Sequence, residues 1–158
     1  MRIGIGYDVH RLIRGRKLFL GGVEFEKAEF GLEGHSDADV LLHAVMDAML
    51  GAAGLRDIGH YFPDKDDKYK NIRSTELLNE VQHIIAKEGY EVNNVDVIVV
   101  AEYPRMAPYI DKVKDAIAKV LNIRTTQVAI KATTEEGLGF TGAKEGIAVH
   151  AVVSLKEK

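Results

Sequence analysis

Residues 37–54 decide the fold, and they read DADVLLHAVMDAMLGAAG. In the helix that this stretch predicts, apolar side chains cover most of the circumference, so the helix has to be largely buried. Gly51 and Gly54 mark its end, since glycine is favoured just past a helix C-terminus. The polar residues that interrupt it, Asp39, His43 and Asp47, stand four apart and form one narrow stripe. A polar stripe on a buried helix needs partners on other elements.

Segments of strand character flank this helix on both sides. Residues 2–12 alternate between two faces, as a strand does, and Asp8 and His10 share one of these faces. The other face carries four larger side chains: Ile3, Ile5, Tyr7 and Val9. Further strands are predicted at residues 17–25, which Gly21-Gly22 interrupts, and at 95–101, 128–133 and 146–155.

Two amphipathic helices complete the pattern. One runs from Ser74 to its stop at Gly89, and the other covers residues 110–120. Strands that alternate with helices, with hairpin-like strands at both ends, favour an α/β fold of the α+β type. We expect a two-layer sandwich with a mixed β-sheet and helices packed on one face. A chain of 158 residues is expected to form a single domain, 1–158.

The composition excludes several classes of function. The net charge is only -3, with 21 basic and 24 acidic residues, so no broad basic face is expected to bind nucleic acid. The absence of cysteine excludes disulfides, thiolate nucleophiles and cysteine-ligated zinc. The apolar runs are too short to cross a bilayer, and the first ten residues, which include Asp8 and His10, do not resemble a signal peptide. We therefore expect a cytoplasmic protein with no membrane partner.

Asp8 and His10 are candidate metal ligands, because alternate residues of a strand project from the same face and can bind one ion. His43, in the polar stripe of the buried helix, is the candidate for a third ligand. The residues also allow a second interpretation. In it, His43 is a hydrogen-bonded core histidine and residues 8–10 are an ordinary strand end. An Asp-x-His pair does not by itself separate the two.

The loop before the buried helix reads HSDAD at residues 35–39. Ser36 or Asp37 is expected to cap the helix, which leaves His35 free on the loop. His35 and His43 would then lie beside one pocket, as in a catalytic site. The alternative is that the segment serves only as a helix cap.

A glycine-rich segment, GLGFTG at residues 137–142, matches the G-x-G-x-x-G pattern of dinucleotide-binding proteins. The residues that follow are too few and predict a strand instead of a helix, so this fold is rejected. What remains is TTEE at residues 133–136, which runs into the turn. Its hydroxyl and amide groups suit phosphate, and its carboxylates suit a hard cation. An ordinary hairpin loop is the alternative.

Two further loops are candidates for ligand binding. Residues 101–107 follow a strand and lead into a helix, where α/β proteins place binding loops, although a plain connection fits equally well. Residues 62–66 form a polar turn with clustered acids, which is more often solvated surface than a site. His83 is expected on the surface.

Five segments, taken in order, closely resemble the 2-C-methyl-D-erythritol 2,4-cyclodiphosphate synthase family. They are GYDVH at 6–10, HSDADVLLH at 35–43, DIG at 57–59, FPD at 62–64 and KATTEEGLGFTG at 131–142. Each segment is short, but the order and spacing of all five make the resemblance specific, and it spans nearly the whole chain.

The resemblance implies an enzyme of isoprenoid precursor biosynthesis by the methylerythritol phosphate pathway. Its substrate would be 4-diphosphocytidyl-2-C-methyl-D-erythritol 2-phosphate, which a phosphorus-oxygen lyase cyclises with release of CMP. By the same resemblance, the zinc ligands are Asp8, His10 and His43. Glu136 is similar to the ligand of a magnesium or manganese ion at the substrate diphosphate.

Further roles follow from the same resemblance. His35 and Thr134 are similar in position to groups that stabilise the transition state, and family members are homotrimers with active sites between subunits. The substrate-binding residues near the metal would be Asp8, His10, His35, Ser36, Asp57, Ile58, Gly59, Phe62, Pro63, Asp64, Lys65 and Asp66. The others would be Ala101, Glu102, Tyr103, Pro104, Arg105, Met106, Ala107, Thr133, Thr134, Glu135, Glu136 and Phe140. Among these, the loop 101–107 with Thr133 would hold the cytidine end through backbone groups.

Two positions depart from the family pattern. Ala143 stands where relatives usually have an arginine, with Lys144 beside it as the nearest replacement. Glu135 stands where relatives have a small polar residue, so two acids are adjacent, and Glu136 is the one that aligns with the metal ligand. The residues alone leave two other classes of function: a non-catalytic nucleotide-binding module with a structural metal, and a metal-dependent phosphohydrolase with water as nucleophile.

Overall fold

A computed structural model describes residues 1–158. The strands are β1 (Arg2–Arg14), β2 (Phe19–Leu20), β3 (Val23–Glu24), β4 (Phe30–Leu32), β5 (Tyr90–Val100), β6 (Val128–Thr133) and β7 (Gly146–Glu157). The α-helices are α1 (Val40–Ala52), α2 (Ile58–Tyr61), α3 (Ser74–Lys87), α4 (Ile110–Leu121) and α5 (Gly139–Gly142). Short 3-10 helices lie at Asp67–Tyr69, Ala107–Tyr109 and Thr125–Gln127.

The central sheet has five strands in the order β4-β1-β7-β5-β6, and β2 and β3 form a separate hairpin. In the central sheet, β5 and β6 are parallel and the other neighbours are antiparallel. The parallel pair is connected through α4, the kind of crossover that parallel strands require. Helix α1 packs on β1, β7 and β5, and α3 and α4 complete the helix layer. The predicted α/β fold with a mixed sheet is confirmed.

The sheet face opposite the helix layer is exposed in the single chain. We call it the open sheet face, and its apolar residues are Ile3, Ile5, Tyr7, Val9, Ile98 and Val152. Ile3 is 66% exposed and Ile5 is 72% exposed. On β1, the large apolar side chains therefore point away from the helices, and the small residues between them point toward the helices. A sheet with one covered face usually has the opposite arrangement.

Helix α1 lies directly on the backbone of β1. A Cβ atom at Gly4 would lie 2.0 Å from the carbonyl oxygen of Ala48, and one at Gly6 would lie 1.9 Å from that of Ala44. No side chain fits at either position, because the obstructing atoms belong to the helix backbone and cannot rotate away. Asp8 lies next on the same face of β1, so it is held close to α1 as well.

The N-cap of α1 is Asp39, whose carboxylate binds three backbone N–H groups. The Oδ1 atom accepts from Gly21 at 2.9 Å and from Leu42 at 3.0 Å, and Oδ2 accepts from Gly22 at 2.7 Å. The cap therefore also ties the turn of the β2–β3 hairpin to the helix. Burial raises the pKa of Asp39 to about 6. The nearby Asp37 carboxylate adds to this shift, and the three N–H groups oppose it.

The prediction that Ser36 or Asp37 caps α1 is wrong. The backbone at Ala38 adopts a left-handed conformation, with φ of 57°, and this places Asp39 at the start of the helix. The Ser36 hydroxyl instead accepts from the N–H of Ala38 at 3.1 Å, and Asp37 accepts from the N–H of Ser74 at 2.9 Å. Both side chains thus stabilise the loop and its contact with α3.

The remaining elements agree with the pattern apart from short pieces and the start of β5, which begins at Tyr90 and not at residue 95. Strand β6 and helix α4 match the predicted 128–133 and 110–120 to within one residue. The single strand predicted at 17–25 is wrong, because Gly21 (φ 62°) and Gly22 (φ 81°) turn it into the β2–β3 hairpin. β4, α2 and α5 each have four residues or fewer, too few to show a period. None of the helices has the length and apolar character to span a membrane.

Gly6→Ala is expected to lower the free energy of unfolding by about 3 kcal/mol, because the new methyl group has to push α1 off the sheet. Urea unfolding followed by circular dichroism measures this change. The matched control is Gly51→Ala in α1, where the nearest atom to the new Cβ, the Ile5 carbonyl oxygen, lies 4.0 Å away. That substitution should stabilise the protein by about 0.5–1 kcal/mol through helix propensity. Equal effects of the two substitutions would contradict the close packing.

Candidate metal centre and active site

The side chains of Asp8 and His10, on β1, and of His43, on α1, converge at one point. Asp8 Oδ2 lies 3.0 Å from His10 Nε2 and 3.1 Å from His43 Nδ1. The two nitrogens are 3.2 Å apart. One ligand atom from each residue lies within 4.8 Å of the others, so the three residues could hold a metal ion. The structure therefore brings together all three ligands that the sequence suggests for the first metal.

Hydrogen bonding outside the cluster orients His10. Its Nδ1 atom lies 2.6 Å from the carbonyl oxygen of Glu33. Because a carbonyl only accepts, Nδ1 carries a hydrogen, and Nε2 is the ring nitrogen that faces the cluster. Burial lowers the pKa of His10, but the hydrogen bond and charge of Asp8 outweigh it and raise the pKa above its ordinary value. Burial likewise raises the pKa of Asp8, but hydrogen bonds from His10 and His43 outweigh it and hold this pKa well below its usual range.

The polar stripe of α1 finds its partners, as the sequence predicts. The Nε2 atom of His43 lies 3.1 Å from the hydroxyl of Ser74 and 3.3 Å from that of Ser36. One turn further along, Asp47 Oδ1 accepts from the N–H of Ile58 at 2.8 Å. Each polar side chain on this buried helix is thus bound to a different segment of the chain.

The cluster fits a divalent cation. Two imidazole nitrogens and one carboxylate oxygen are a ligand set that zinc takes in catalytic sites, where a fourth position stays open for substrate. His10 and His43 each bind an outer group through the other ring nitrogen, as metal-bound histidines almost always do. A structural zinc site usually has four protein ligands, so three ligands favour a catalytic site over a structural one.

A cavity of about 240 Å³ opens beside the cluster. The predicted site residues that line it are Asp8, His10, His35, Ser36, His43, Ile58, Gly59, Phe62 and Asp64. Sequence reasoning did not assign four other lining residues to the site: Val9, Gly34, Tyr69 and Leu77. Tyr69 lies on a 3-10 turn that leaves no period in the sequence, and Leu77 belongs to the apolar stripe of α3. Only the tertiary structure places these two at the cavity.

The other four residues predicted near the metal do not line this cavity: Asp57, Pro63, Lys65 and Asp66. Asp57 is the N-cap of α2. His35 Nε2 donates to the carbonyl oxygen of Asp66 at 3.2 Å, which joins the loop before α1 to the polar turn at 62–66. Pro63 and Lys65 are exposed on that turn and do not line the cavity.

The structure does not bring the second group of predicted residues to this cavity. Neither the loop 101–107 nor the segment 133–136 lines it, and neither does Phe140. The sheet register aligns Val9 on β1 with Thr133 on β6, through one residue each of β7 and β5. The two groups therefore lie at the same end of the sheet but three strand spacings, or about 14 Å, apart.

The loop 101–107 is held mainly by its own side chains. Met106 is buried, and the hydroxyl of Tyr103 accepts from the N–H of Glu29 at 2.7 Å. Glu102 Oε1 accepts from the N–H of Gly137 at 3.1 Å, which joins this loop to the glycine-rich turn. Much of the loop therefore has only backbone groups available to bind a ligand.

The two adjacent acids of the segment 133–136 have different surroundings. Glu135 Oε2 accepts from the hydroxyl of Thr141 at 2.5 Å, so this carboxylate stabilises the turn. The Glu136 side chain is exposed and takes part in no ion pair or side-chain hydrogen bond. Thr134 Oγ1 accepts from the N–H of Glu136 at 3.3 Å, which leaves the hydroxyl hydrogen free to donate.

The fold and the site together define a two-layer α/β protein with a cluster of three candidate metal ligands beside a cavity. The chain belongs to the YgbB family, whose model matches residues 1–156. It is 59% identical to a 2-C-methyl-D-erythritol 2,4-cyclodiphosphate synthase of Alkaliphilus metalliredigens over 98% of this chain and 97% of the relative. The family resemblance that the sequence motifs indicate is confirmed.

Solved structures agree with this assignment. The bifunctional IspDF from Campylobacter jejuni is 43% identical with a TM-score of 0.95, over 99% of this chain and 42% of that longer chain. The CDP complex of IspF from Plasmodium falciparum is 34% identical with a TM-score of 0.86, over 99% of this chain and 96% of that one.

The effect of Asp8→Asn on the stability of the metal-free protein is expected to depend on pH. The pKa of Asp8 is lowered, so its contribution is present above the ordinary value of 3.8 and is lost as the pH falls. The pKa of His10 is raised, so its contribution is present below the ordinary value of 6.5 and is lost as the pH rises through the folded-state pKa. The substitution should therefore destabilise most between about pH 4 and 6.5.

Urea unfolding at a series of pH values tests this expectation. The control is Asp115→Asn, at an exposed acid of α4 that makes no ion pair, and its effect should stay small and flat across the series. A destabilisation by Asp8→Asn that is largest above pH 8 would show that Asp8 and His10 do not interact as described.

Proposed function

We propose that this protein converts 4-diphosphocytidyl-2-C-methyl-D-erythritol 2-phosphate into 2-C-methyl-D-erythritol 2,4-cyclodiphosphate and CMP. In this reaction an oxygen of the 2-phosphate attacks the β-phosphorus. The bond from that phosphorus to the CMP oxygen breaks, and CMP leaves with the electron pair. The protein is then a phosphorus-oxygen lyase of the methylerythritol phosphate pathway. The observation that carries the proposal is the Asp8, His10 and His43 cluster, in a chain that matches synthase relatives over nearly its full length.

Two cations belong to this proposal. Zinc is assigned to Asp8, His10 and His43, because imidazole and carboxylate ligands suit it. Magnesium or manganese is assigned to Glu136, whose exposed carboxylate offers the oxygen ligands that a hard cation prefers. When bound, the cations supply positive charge against the charge that builds on the phosphate oxygens.

The protein groups near the reacting phosphates have defined free atoms. Because His35 Nε2 donates to the carbonyl of Asp66, Nδ1 is the ring atom left to face the substrate. Because Thr134 Oγ1 accepts from a backbone N–H, its hydroxyl hydrogen is left to donate to a phosphate oxygen. Both groups can thus stabilise the transition state, the role that the family resemblance implies for them.

The cytidine end of the substrate is assigned to the loop 101–107 with Thr133. The Plasmodium falciparum relative forms a CDP complex, which supports a cytidine diphosphate site on this fold. The rigid attachment of the loop through Tyr103 and Glu102 supports recognition by backbone groups, because such groups read a base only when their positions are fixed.

A homotrimer reconciles the two separated groups of site residues. Within one chain the metal cluster and the segment 133–136 lie about 14 Å apart across the sheet. In a closed ring of three copies, each interface joins different surfaces of two neighbours, so the segment of one copy can face the cluster of the next. The open sheet face supports this assembly, because an exposed apolar surface of that kind is typical of an interface.

His43→Ala is expected to abolish stoichiometric zinc binding and to lower turnover more than about 100-fold, because a direct ligand is lost. CMP release and cyclodiphosphate formation from the cytidine diphosphate substrate measure turnover, with and without chelator. His83→Ala is the control, since His83 lies exposed on α3 and bonds only to a carbonyl of its own helix. Zinc retained by a folded His43→Ala variant would show that the site is misassigned.

The products of the same assay separate the other classes of function. A phosphohydrolase releases a linear phosphate, and a non-catalytic nucleotide-binding module releases no CMP. Turnover that persists without a divalent cation would overturn the proposed mechanism.

Ile5→Glu is expected to convert the trimer to single chains and to lower turnover, because a charge is placed at the centre of the open sheet face. The secondary structure should survive, since Ile5 is 72% exposed in the single chain. Light scattering after size exclusion gives the mass. Asn79→Glu on the exposed side of α3 is the control, and it should keep three copies together. A trimer that persists in Ile5→Glu would contradict the assigned interface.

A further inference from the structure

The two ring nitrogens of His43 face different groups. Its Nδ1 atom lies 3.1 Å from Asp8 Oδ2, inside the metal cluster, and its Nε2 atom lies 3.1 Å from the hydroxyl of Ser74. A neutral imidazole carries one hydrogen, and only the nitrogen without it can bind a metal. Metal binding by His43 thus depends on which nitrogen holds the hydrogen in the protein.

The direction of one further hydrogen bond decides this question. The Ser74 hydroxyl lies 2.5 Å from Asp37 Oδ1, and an ionised carboxylate can only accept. The single hydroxyl hydrogen of Ser74 therefore points to Asp37, and only lone pairs of its oxygen face His43. Nε2 must then donate to Ser74. When a metal displaces the hydrogen that Nδ1 shares with Asp8, the one remaining ring hydrogen sits on Nε2, and the lone pair of Nδ1 is left for the metal.

The surroundings of Asp37 fix this direction. Its Oδ2 atom accepts from the N–H of Ser74 at 2.9 Å and from Arg73 Nε at 3.3 Å, and Oδ1 accepts from the N–H of Asp39 at 3.2 Å. Ser74 and Asp37 are both buried, so water does not compete for these bonds. The other hydroxyl near His43, that of Ser36, has a free hydrogen and is compatible with either form of the ring.

We infer that Ser74 and Asp37 are positioning residues that hold His43 in the form protonated on Nε2 and so present Nδ1 to the metal. The inference rests on the metal site proposed above and concerns two residues to which neither the sequence nor the family resemblance gives a role at the metal. It also separates the two histidines: His10 is fixed in the opposite form by a backbone carbonyl, and His43 by a side-chain relay that substitution can break.

Two measurements on the full-length protein test the inference. Competition with a chelator gives the zinc affinity. Nitrogen-15 shifts of the imidazole rings in protein loaded with one equivalent of zinc give the position of each remaining hydrogen. The unsubstituted protein should show the hydrogen on Nε2 of His43. Ser74→Ala should change the shift of this nitrogen, because its hydrogen-bond acceptor is lost, and weaken zinc binding about 10- to 100-fold.

The same protein contains the controls. The ring of His10 should keep its hydrogen on Nδ1 in every variant, because its partner is a backbone carbonyl. Ser36→Ala should affect the His43 ring far less than Ser74→Ala, although it removes a hydroxyl at a similar distance.

Asp37→Asn is a second test of the inference, and it leaves the Ser74 hydroxyl in place. Two N–H donors face Oδ2 of Asp37, and one faces Oδ1. In Asp37→Asn the amide nitrogen is therefore expected at the position of Oδ1, where it donates to the Ser74 hydroxyl. Ser74 then donates to His43, which moves the ring hydrogen to Nδ1 and weakens zinc binding. This variant decides the question if Ser74→Ala does not fold.

The possible results are distinct. A folded Ser74→Ala protein with an unchanged His43 Nε2 shift and unchanged zinc affinity overturns the inference and leaves the metal site standing. An unsubstituted protein that binds no zinc contradicts the proposed metal site and, with it, the inference.

Discussion

The contact between the backbones of β1 and α1 is the constraint on which the rest of the structure depends. Gly4 and Gly6 leave no atom between strand and helix, so the helix axis lies closer to the sheet than side chains would allow. This approach brings ligands from two different elements to within 3.0–3.2 Å of one another. Methyl groups at Gly4 and Gly6 would push α1 away from β1. His43 would then move away from Asp8, and the three candidate ligands would no longer be in contact.

The polar stripe of α1 shows how a buried helix can organise the loops around it. Asp39 binds the turn of the β2–β3 hairpin, His43 binds the start of α3 through Ser74, and Asp47 binds the start of α2. Burying these groups costs free energy unless each is hydrogen-bonded, so each polar position selects the loop conformation that satisfies it. The bond from His43 to Ser74 also orients a candidate metal ligand, which links the folding of this helix to its proposed function.

The proposed homotrimer rests on two features, the open sheet face and the divided site. The face exposes apolar side chains that water solvates poorly, and the residues that resemble one active site lie at two places at one end of the sheet. The packing of further copies on that face would account for both features. Stability and catalysis are then expected to depend on one interface.

The sequence by itself determined the buried helix, the main strands and the ligand types, because periodicity and side-chain chemistry are local properties. It also indicated Asp8, His10 and His43, although the residues without the family resemblance allow an ordinary strand end as well. Tertiary structure alone decided that Asp39 and not Ser36 or Asp37 caps α1, because a left-handed turn at Ala38 shifts the start of the helix. It also placed Tyr69, Leu77 and the Asp37–Ser74 relay beside the site, because contacts between residues far apart in the chain produce no periodic pattern in the sequence.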